Sequence, residues 1–209
     1  MSHFWSDTIS LLTLHILTLI SPGVDFGLVL RHTLIEGKKY GLIAALGIAT
    51  GVGIHLLYSL AGLGLYITDH LLLFNCIKVI GGLYLFYLGI QSFRQKAHTE
   101  PTIHAKQTKS GLAYSFTSGL FTNLLNPKSL LFFVVIFTTV IDPQTPTALL
   151  IFDSSLVILT TFLWFGLVTL FFSNPRIRTL FFHNLPKVNR CIGLFFMALS
   201  LKIMFSITL

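Results

Sequence analysis

Six apolar runs of about twenty residues or more, separated by short polar patches, restrict what this chain can fold into more than any other feature. They cover residues 8–30, 41–66, 71–93, 112–140, 147–172 and 189–208. A helix crosses the hydrocarbon core of a bilayer in roughly 20 residues, so each run is long enough to span one. Transmembrane β-barrels also satisfy their backbone in lipid, but their strands alternate apolar and polar residues, and these runs are continuous. The mean hydropathy of +0.82, with 54% apolar and 10% charged residues, exceeds what one soluble core of 209 residues requires. The expected fold class is an all-α integral membrane protein with six transmembrane helices, its outer surface against membrane lipid. Residues 1–8 contain no Lys or Arg and no small-residue cleavage pattern follows, so the first run reads as a retained span.

A net charge of +7 would suggest nucleic acid as the partner of a soluble domain. Here the distribution gives another reading, with no nucleic-acid partner. Arg31, Lys38 and Lys39 follow the first run, Arg94, Lys96, Lys106 and Lys109 the third, and Arg176, Arg178, Lys187 and Arg190 the fifth. The alternate loops carry Asp69 and Asp142 instead. By the positive-inside rule the basic loops are cytoplasmic and both termini face the periplasm. The chain reads as a single membrane domain, 1–209. A basic linker at 94–111, too short to fold alone, separates two halves of three spans, 1–93 and 112–209. An odd number of spans per half gives the halves opposite orientation, so they are expected to be inverted repeats, an architecture common in transporters.

The first run is interrupted by Ser21-Pro22-Gly23 and the fourth by Asn126-Pro127-Lys128. Proline removes a helical donor and clashes with the preceding turn, so both helices should kink or unwind there. In lipid such breaks are tolerated mainly inside protein or along a cavity, and matched breaks in two halves point to a binding site. Each break carries a charge: Asp25 lies one turn beyond Pro22, and Lys128 follows Pro127. The two could meet as a structural salt bridge, or they could receive a zwitterion, with carboxylate on Lys128 and ammonium on Asp25. Asn123 and Asn126 could cap the broken ends or touch substrate. His55, in the second span, is the side chain best suited to a change of protonation, and Tyr58 lies on the same helical face. Pro22, Gly23, Asp25, His55, Tyr58, Asn123, Asn126, Pro127 and Lys128 are thus the candidate substrate-binding or coupling residues. Asp153 is a second intramembrane charge, while Lys78 and Lys202 can snorkel outward.

Gly23 and Gly27 on the first span, and Gly47, Gly51, Gly62 and Gly64 on the second, offer faces for close helix approach and for a homo-oligomer. No GxxxxGK[ST] loop is present, and no HExxH or GxSxG motif, so neither an ATPase nor a hydrolase is expected, and no metal or cofactor.

The motifs resemble those of the LysE/RhtB exporters. Ser21-Pro22-Gly23-Val24-Asp25-Phe26 is similar to that family's SPGPDF signature. Arg31, Gly37 and Gly41 fit its loop into the second span, Gly51 and His55 its G-x-x-x-H pattern, and Lys78, Gly81, Tyr84, Leu85, Leu88 and Gly89 its third-span stretch. Gly119, Asn123, Asn126, Pro127, Lys128 and Phe132 match its fourth-span element. The resemblance implies a six-helix translocator of the bacterial inner membrane that exports amino acids or their derivatives, driven by the proton motive force. Val24 stands where the signature has a second proline, and Thr160 and Thr161 stand where the fifth span often has an Asp. Two other readings use a related helical fold. A thiol–disulfide transporter would need paired cysteines beside the prolines, and Cys76 and Cys191 are expected near opposite faces. A passive channel would be indifferent to neutralising Asp25 or Lys128.

Overall fold

A computed structural model describes residues 2–66, 71–94, 111–130, 132–133 and 145–205, with the side chains of 2–4, 62–66, 71–75 and 77–78 excepted. Asp69, Asp142, the side chain of Lys78, the surroundings of Gly62 and Gly64, and nearly all of the linker at 94–111 therefore lie outside the described residues. All regular structure among the described residues is helical.

The first run is two helices, α1 (Ser2–Ile20) and α2 (Val24–Ile35), bent by 55° at the break. Helix α1 closes with Ser21 N–H on the Leu17 carbonyl; Pro22 has no donor to continue it. Gly23 is extended, and α2 restarts when the Gly27 N–H bonds the Gly23 carbonyl. Helix α2 then ends at Gly37, whose φ of +110° puts it in the left-handed region, and its N–H returns to the His32 carbonyl. A glycine at that position turns the chain sharply into α3 (Lys38–Tyr66) without a Cβ penalty. Helix α4 is Leu71–Arg94 and α5 is Leu112–Leu124.

The second break has different chemistry from the first. Leu125 and Asn126 leave the helix, and residues 127–130 resume it. Asn126 caps the new turn: its Oδ1 accepts the Lys128 N–H at 3.0 Å and its carbonyl accepts the Leu130 N–H. With Pro127 at the first helical position, this is a favoured helix start. Pro22 instead lies before its N-cap residue, so the prolines interrupt their helices at offset positions.

Helices α6 (Thr147–Phe171) and α7 (Pro175–Phe205) complete the described chain. The sequence windows place 173–188 in a cytoplasmic loop; in the structure 175–188 form the first half of α7. Asn174 caps it, accepting the Arg176 N–H on Oδ1, ahead of Pro175. Phe182, Leu185, Asn189, Ile192, Phe196, Ser200 and Ile203 are buried at three- and four-residue intervals. That stripe holds the basic, amphipathic half on the protein despite its low hydropathy.

Packing follows the small residues. Helix α3 packs on α5 and α6, and α4 packs on α7. A Cβ on Gly47 would collide with the Phe116 carbonyl of α5, and one on Gly119 with the Ala44 carbonyl of α3. Gly89 and Gly193 bring α4 and α7 into similar backbone contact, beside a buried bond from Ser200 Oγ to the Gly82 carbonyl at 2.7 Å. Gly27, expected on such a face, meets nothing within 4 Å. Among the described residues, α3, α6 and α7 are long and apolar enough to cross a membrane, and the bent pair α1–α2 adds a fourth crossing if it counts as one span.

Candidate functional site

The two helix breaks lie side by side. Lys128 reaches across from the second to the first, passing over Gly23, where a Cβ would make only ordinary van der Waals contact with it, 3.8 Å from Cδ. Its ammonium donates to the Thr18 carbonyl at 3.0 Å and the Ser21 carbonyl at 2.8 Å. These are C-terminal carbonyls of α1, left without helical partners by the break, and a cation there also opposes the negative end of the helix dipole. Asp25 occupies the complementary place, in the first turn of α2, where the dipole favours an anion. Its Oδ2 accepts from Asn123 Nδ2 at 2.8 Å. No ion pair joins Asp25 to Lys128 among the described residues, so the structural salt bridge is not formed. Each charge serves the helix end beside it.

Asn123 is the hub of this junction. Its amide donates to Asp25 and, at 3.2 Å, to Ser129 Oγ. Its carbonyl accepts from His55 Nε2 at 3.1 Å. A carbonyl can only accept, so Nε2 carries a proton, and Nδ1 faces the Tyr58 hydroxyl. Gly51 lets Asn123 come this close, since a Cβ there would lie 2.7 Å from Asn123 Oδ1. His55 is buried and stacks on Phe133 at 5.7 Å. Tyr58, expected to share a cavity with it, lies on the same face of α3 and is 38% exposed, but neither Tyr58 nor His55 lines either cavity described below.

Two cavities adjoin the breaks. A vestibule of about 720 Å³ is bounded by Ser21, Pro22, Gly23, Asn126, Pro127 and Lys128, and on α4 by Tyr84, Tyr87, Gln91, Ser92 and Arg94. Arg94 places it on the basic side of the chain. Behind the breaks lies a second cavity of about 30 Å³, lined by Asp25, Asn123, Ser129, Thr18, His15 and Thr161 among polar residues. The vestibule has the volume of a small-molecule site; the inner cavity holds no more than about one water.

His15, Tyr87, Gln91 and Ser92 were not singled out from the sequence, and Thr161, Tyr84 and Arg94 were noted there but not as site residues. His15 Nε2 lies 2.9 Å from Thr161 Oγ1, which itself donates to the Val157 carbonyl at 2.8 Å. The signal available was a lone histidine in the first apolar run; its partner is 146 residues away. Asp153 is buried and accepts from Thr8 Oγ1 at 2.9 Å, outside both cavities. Cys76 and Cys191 are free and exposed, and neither lines these cavities, so nothing at the breaks supports thiol–disulfide chemistry.

Apolar helices broken at adjacent points, with charges on the freed ends and a vestibule between them, define a membrane translocator of the broken-helix class. The chain belongs to the LysE type translocator family, whose profile matches residues 16–206. Members of that family are transporters and not enzymes. The chain is 34% identical to the threonine efflux protein of Escherichia coli K12, over 78% of this chain and 81% of that one. It is 33% identical to the homoserine/homoserine lactone efflux protein of Salmonella typhimurium, over 65% of each. An uncharacterized membrane protein of Escherichia coli K12, YahN, is 26% identical over 97% of this chain and 95% of that one. No solved structure matches.

Proposed function

We propose that this protein exports amino acids or amino-acid derivatives across the bacterial inner membrane, with the substrate held at the junction of the two helix breaks and protons as the coupling ion. The vestibule carries the reading: it is large enough for an amino acid and is bounded by both breaks. Relatives named for threonine and homoserine efflux support the substrate class. A substrate carboxylate entering from the Arg94 side meets Lys128, whose ammonium can exchange its carbonyl partners for a stronger charged acceptor. Asp25 and Asn123 lie beyond, beside the inner cavity. Asp25 suits the ammonium or the coupling proton, and His55 acts through Asn123, which it holds by its carbonyl.

In the same proposal the chain is one domain of six spans in two inverted repeats, 1–93 and 112–209, joined by a cytoplasmic linker at 94–111, with both termini periplasmic. The packing of α4 on α7 and of α3 on α6, and the bonds of Lys128 from the second break to the first, support this pairing, although α3 packs more extensively on α5 than on its counterpart. Gly47 and Gly51 are taken up by α5, and Gly27, which meets nothing within 4 Å, is the small-residue position left for self-association in the membrane among the described ones.

The test is efflux from proteoliposomes preloaded with labelled amino acids, comparing the unmodified chain with Asp25→Asn and Lys128→Gln. Selective, gradient-dependent efflux lost in both variants is the expected result. If no amino acid moves, the substrate class is wrong; if movement survives both substitutions, the site is elsewhere.

A further inference from the structure

Three polar atoms on residues lining the inner cavity have no hydrogen-bond partner among the described residues: His15 Nδ1, Asp25 Oδ1 and Asn123 Oδ1. Their residues are 2%, 9% and 1% exposed, so bulk water does not reach them. An unmade bond at a buried polar atom costs about 1–3 kcal/mol, so residues that line one small space with such atoms mark it as a binding site for whatever supplies the missing partner; Asn123 turns its Oδ1 toward Gly51, which leaves His15 Nδ1 and Asp25 Oδ1 as the pair the cavity serves.

All three atoms are acceptors. Thr161 gives its hydroxyl proton to Val157, so it can only accept from His15, which fixes the His15 proton on Nε2 and leaves a lone pair on Nδ1. Asp25 Oδ1 is a carboxylate oxygen and Asn123 Oδ1 an amide oxygen, whose own NH₂ is engaged. The site therefore calls for a donor, and at about 30 Å³ one no larger than a water. Its single carboxylate favours a positive charge. A hard metal cation would prefer oxygen ligands throughout, whereas an imidazole lone pair suits a proton.

We propose that the inner cavity is the proton-carrying site of the transporter, one water linking the Asp25 carboxylate to the His15 imidazole. This rests on the export reading above and adds His15 to it. A proton entering from one side converts the Asp25 carboxylate to the acid. The water takes that proton and passes one of its own to His15 Nδ1, restoring the carboxylate and forming imidazolium. The imidazolium then has to give up its Thr161 bond and turn Nδ1 away from the water, losing that proton toward the other side and returning as the neutral ring, so one proton enters and one leaves. The other charged or titratable groups facing this path are His55 of α3, through Asn123, and Lys128 of the second break. Helix α6 presents Thr161 and Phe165 here, its Asp153 lying two turns away on Thr8. Phe132 and Phe133 complete the lining, and Leu17 and Ile20 of α1 pack on an apolar cluster drawn from α4 and α7.

The test uses the full chain in liposomes preloaded with labelled threonine and a trapped pH-sensitive dye. The unmodified chain should move protons with threonine, and its efflux should respond to an imposed pH gradient but not to replacing sodium by potassium. In His15→Gln the response to the gradient should be lost and residual efflux should be flat across pH. A merely structural role for His15 would lower the rate at every pH alike and leave the profile's shape unchanged, which would overturn the proposal. If His15→Gln does not remain monodisperse in detergent, the dye measurement on the unmodified chain decides: threonine movement without proton movement, or a requirement for sodium, refutes the site. Absence of any amino-acid movement removes the export reading itself and this proposal with it.

Discussion

Replacing Gly119 by alanine tests whether the close approach of α5 to α3 sets the geometry of the junction. The added Cβ would sit 3.0 Å from the Ala44 carbonyl carbon and would collide with its oxygen. Carbon atoms pack at about 3.5–4.0 Å, so α5 must retreat by roughly 0.5–1 Å, and because the obstacle is backbone, no rotamer change relieves it. Asn123 lies one turn further along the same helix. Its bond to Asp25 is 2.8 Å and its bond from His55 is 3.1 Å. Stretched by that retreat, both approach or pass the limit of a useful hydrogen bond. Overpacking costs about 1–3 kcal/mol, which for a chain of this size lowers the melting temperature by about 2–4 °C for each kcal/mol. Fluorescence-monitored unfolding in detergent, alongside efflux of whichever labelled amino acid the unmodified chain moves, at a temperature where the variant stays folded, separates stability from function. Gly27→Ala is the internal comparison: its Cβ meets nothing within 4 Å, and alanine gains about 0.5–1 kcal/mol of helix propensity. The reasoning is refuted if Gly119→Ala melts no lower than Gly27→Ala, or if it exports at the unmodified rate.

Other positions give sharper local tests. Asn126→Ala removes the cap of the resumed helix and should cost about 1 kcal/mol of stability, whereas Asn126→Asp, which keeps an acceptor, should recover most of it in the same melting assay. Gly37→Ala forces a Cβ into the left-handed region at φ +110° and should destabilise by about 1 kcal/mol; equal melting temperatures would show that the turn relaxes. Ser200→Ala leaves the Gly82 carbonyl without its 2.7 Å donor and should cost about 1 kcal/mol, seen as a lower denaturation midpoint with efflux retained at low temperature.

What could be read from the sequence follows from the range of each interaction. The two breaks were legible because proline acts on its own helix, and the chain opens at Pro22 and before Pro127. The helical character of the other apolar runs was equally local. The first half of α7 was not, because residues 175–188 are too polar to register as a span, and only the spacing of Phe182, Leu185 and Asn189 marks a helix. At the junction, Asp25, Asn123 and Lys128 were found as residue types, but their partners were not. Lys128 turned to carbonyls of α1 rather than to Asp25, since a backbone acceptor leaves no residue-type signature. His15 and Thr161 remained invisible as a pair because nothing local links positions 146 residues apart.

Lys128 belongs to the second half of the chain, and both of its acceptors belong to the first. Any motion that parts the halves has to strip the ammonium of those bonds, and bonds to a charged group are worth about 1.5–3 kcal/mol each. At 1.36 kcal/mol per decade, breaking the pair without replacement slows opening by roughly two to four powers of ten. A carboxylate arriving in the vestibule offers the replacement. Under the export proposal, the same lysine would keep an unladen protein shut against leakage and let a laden one open.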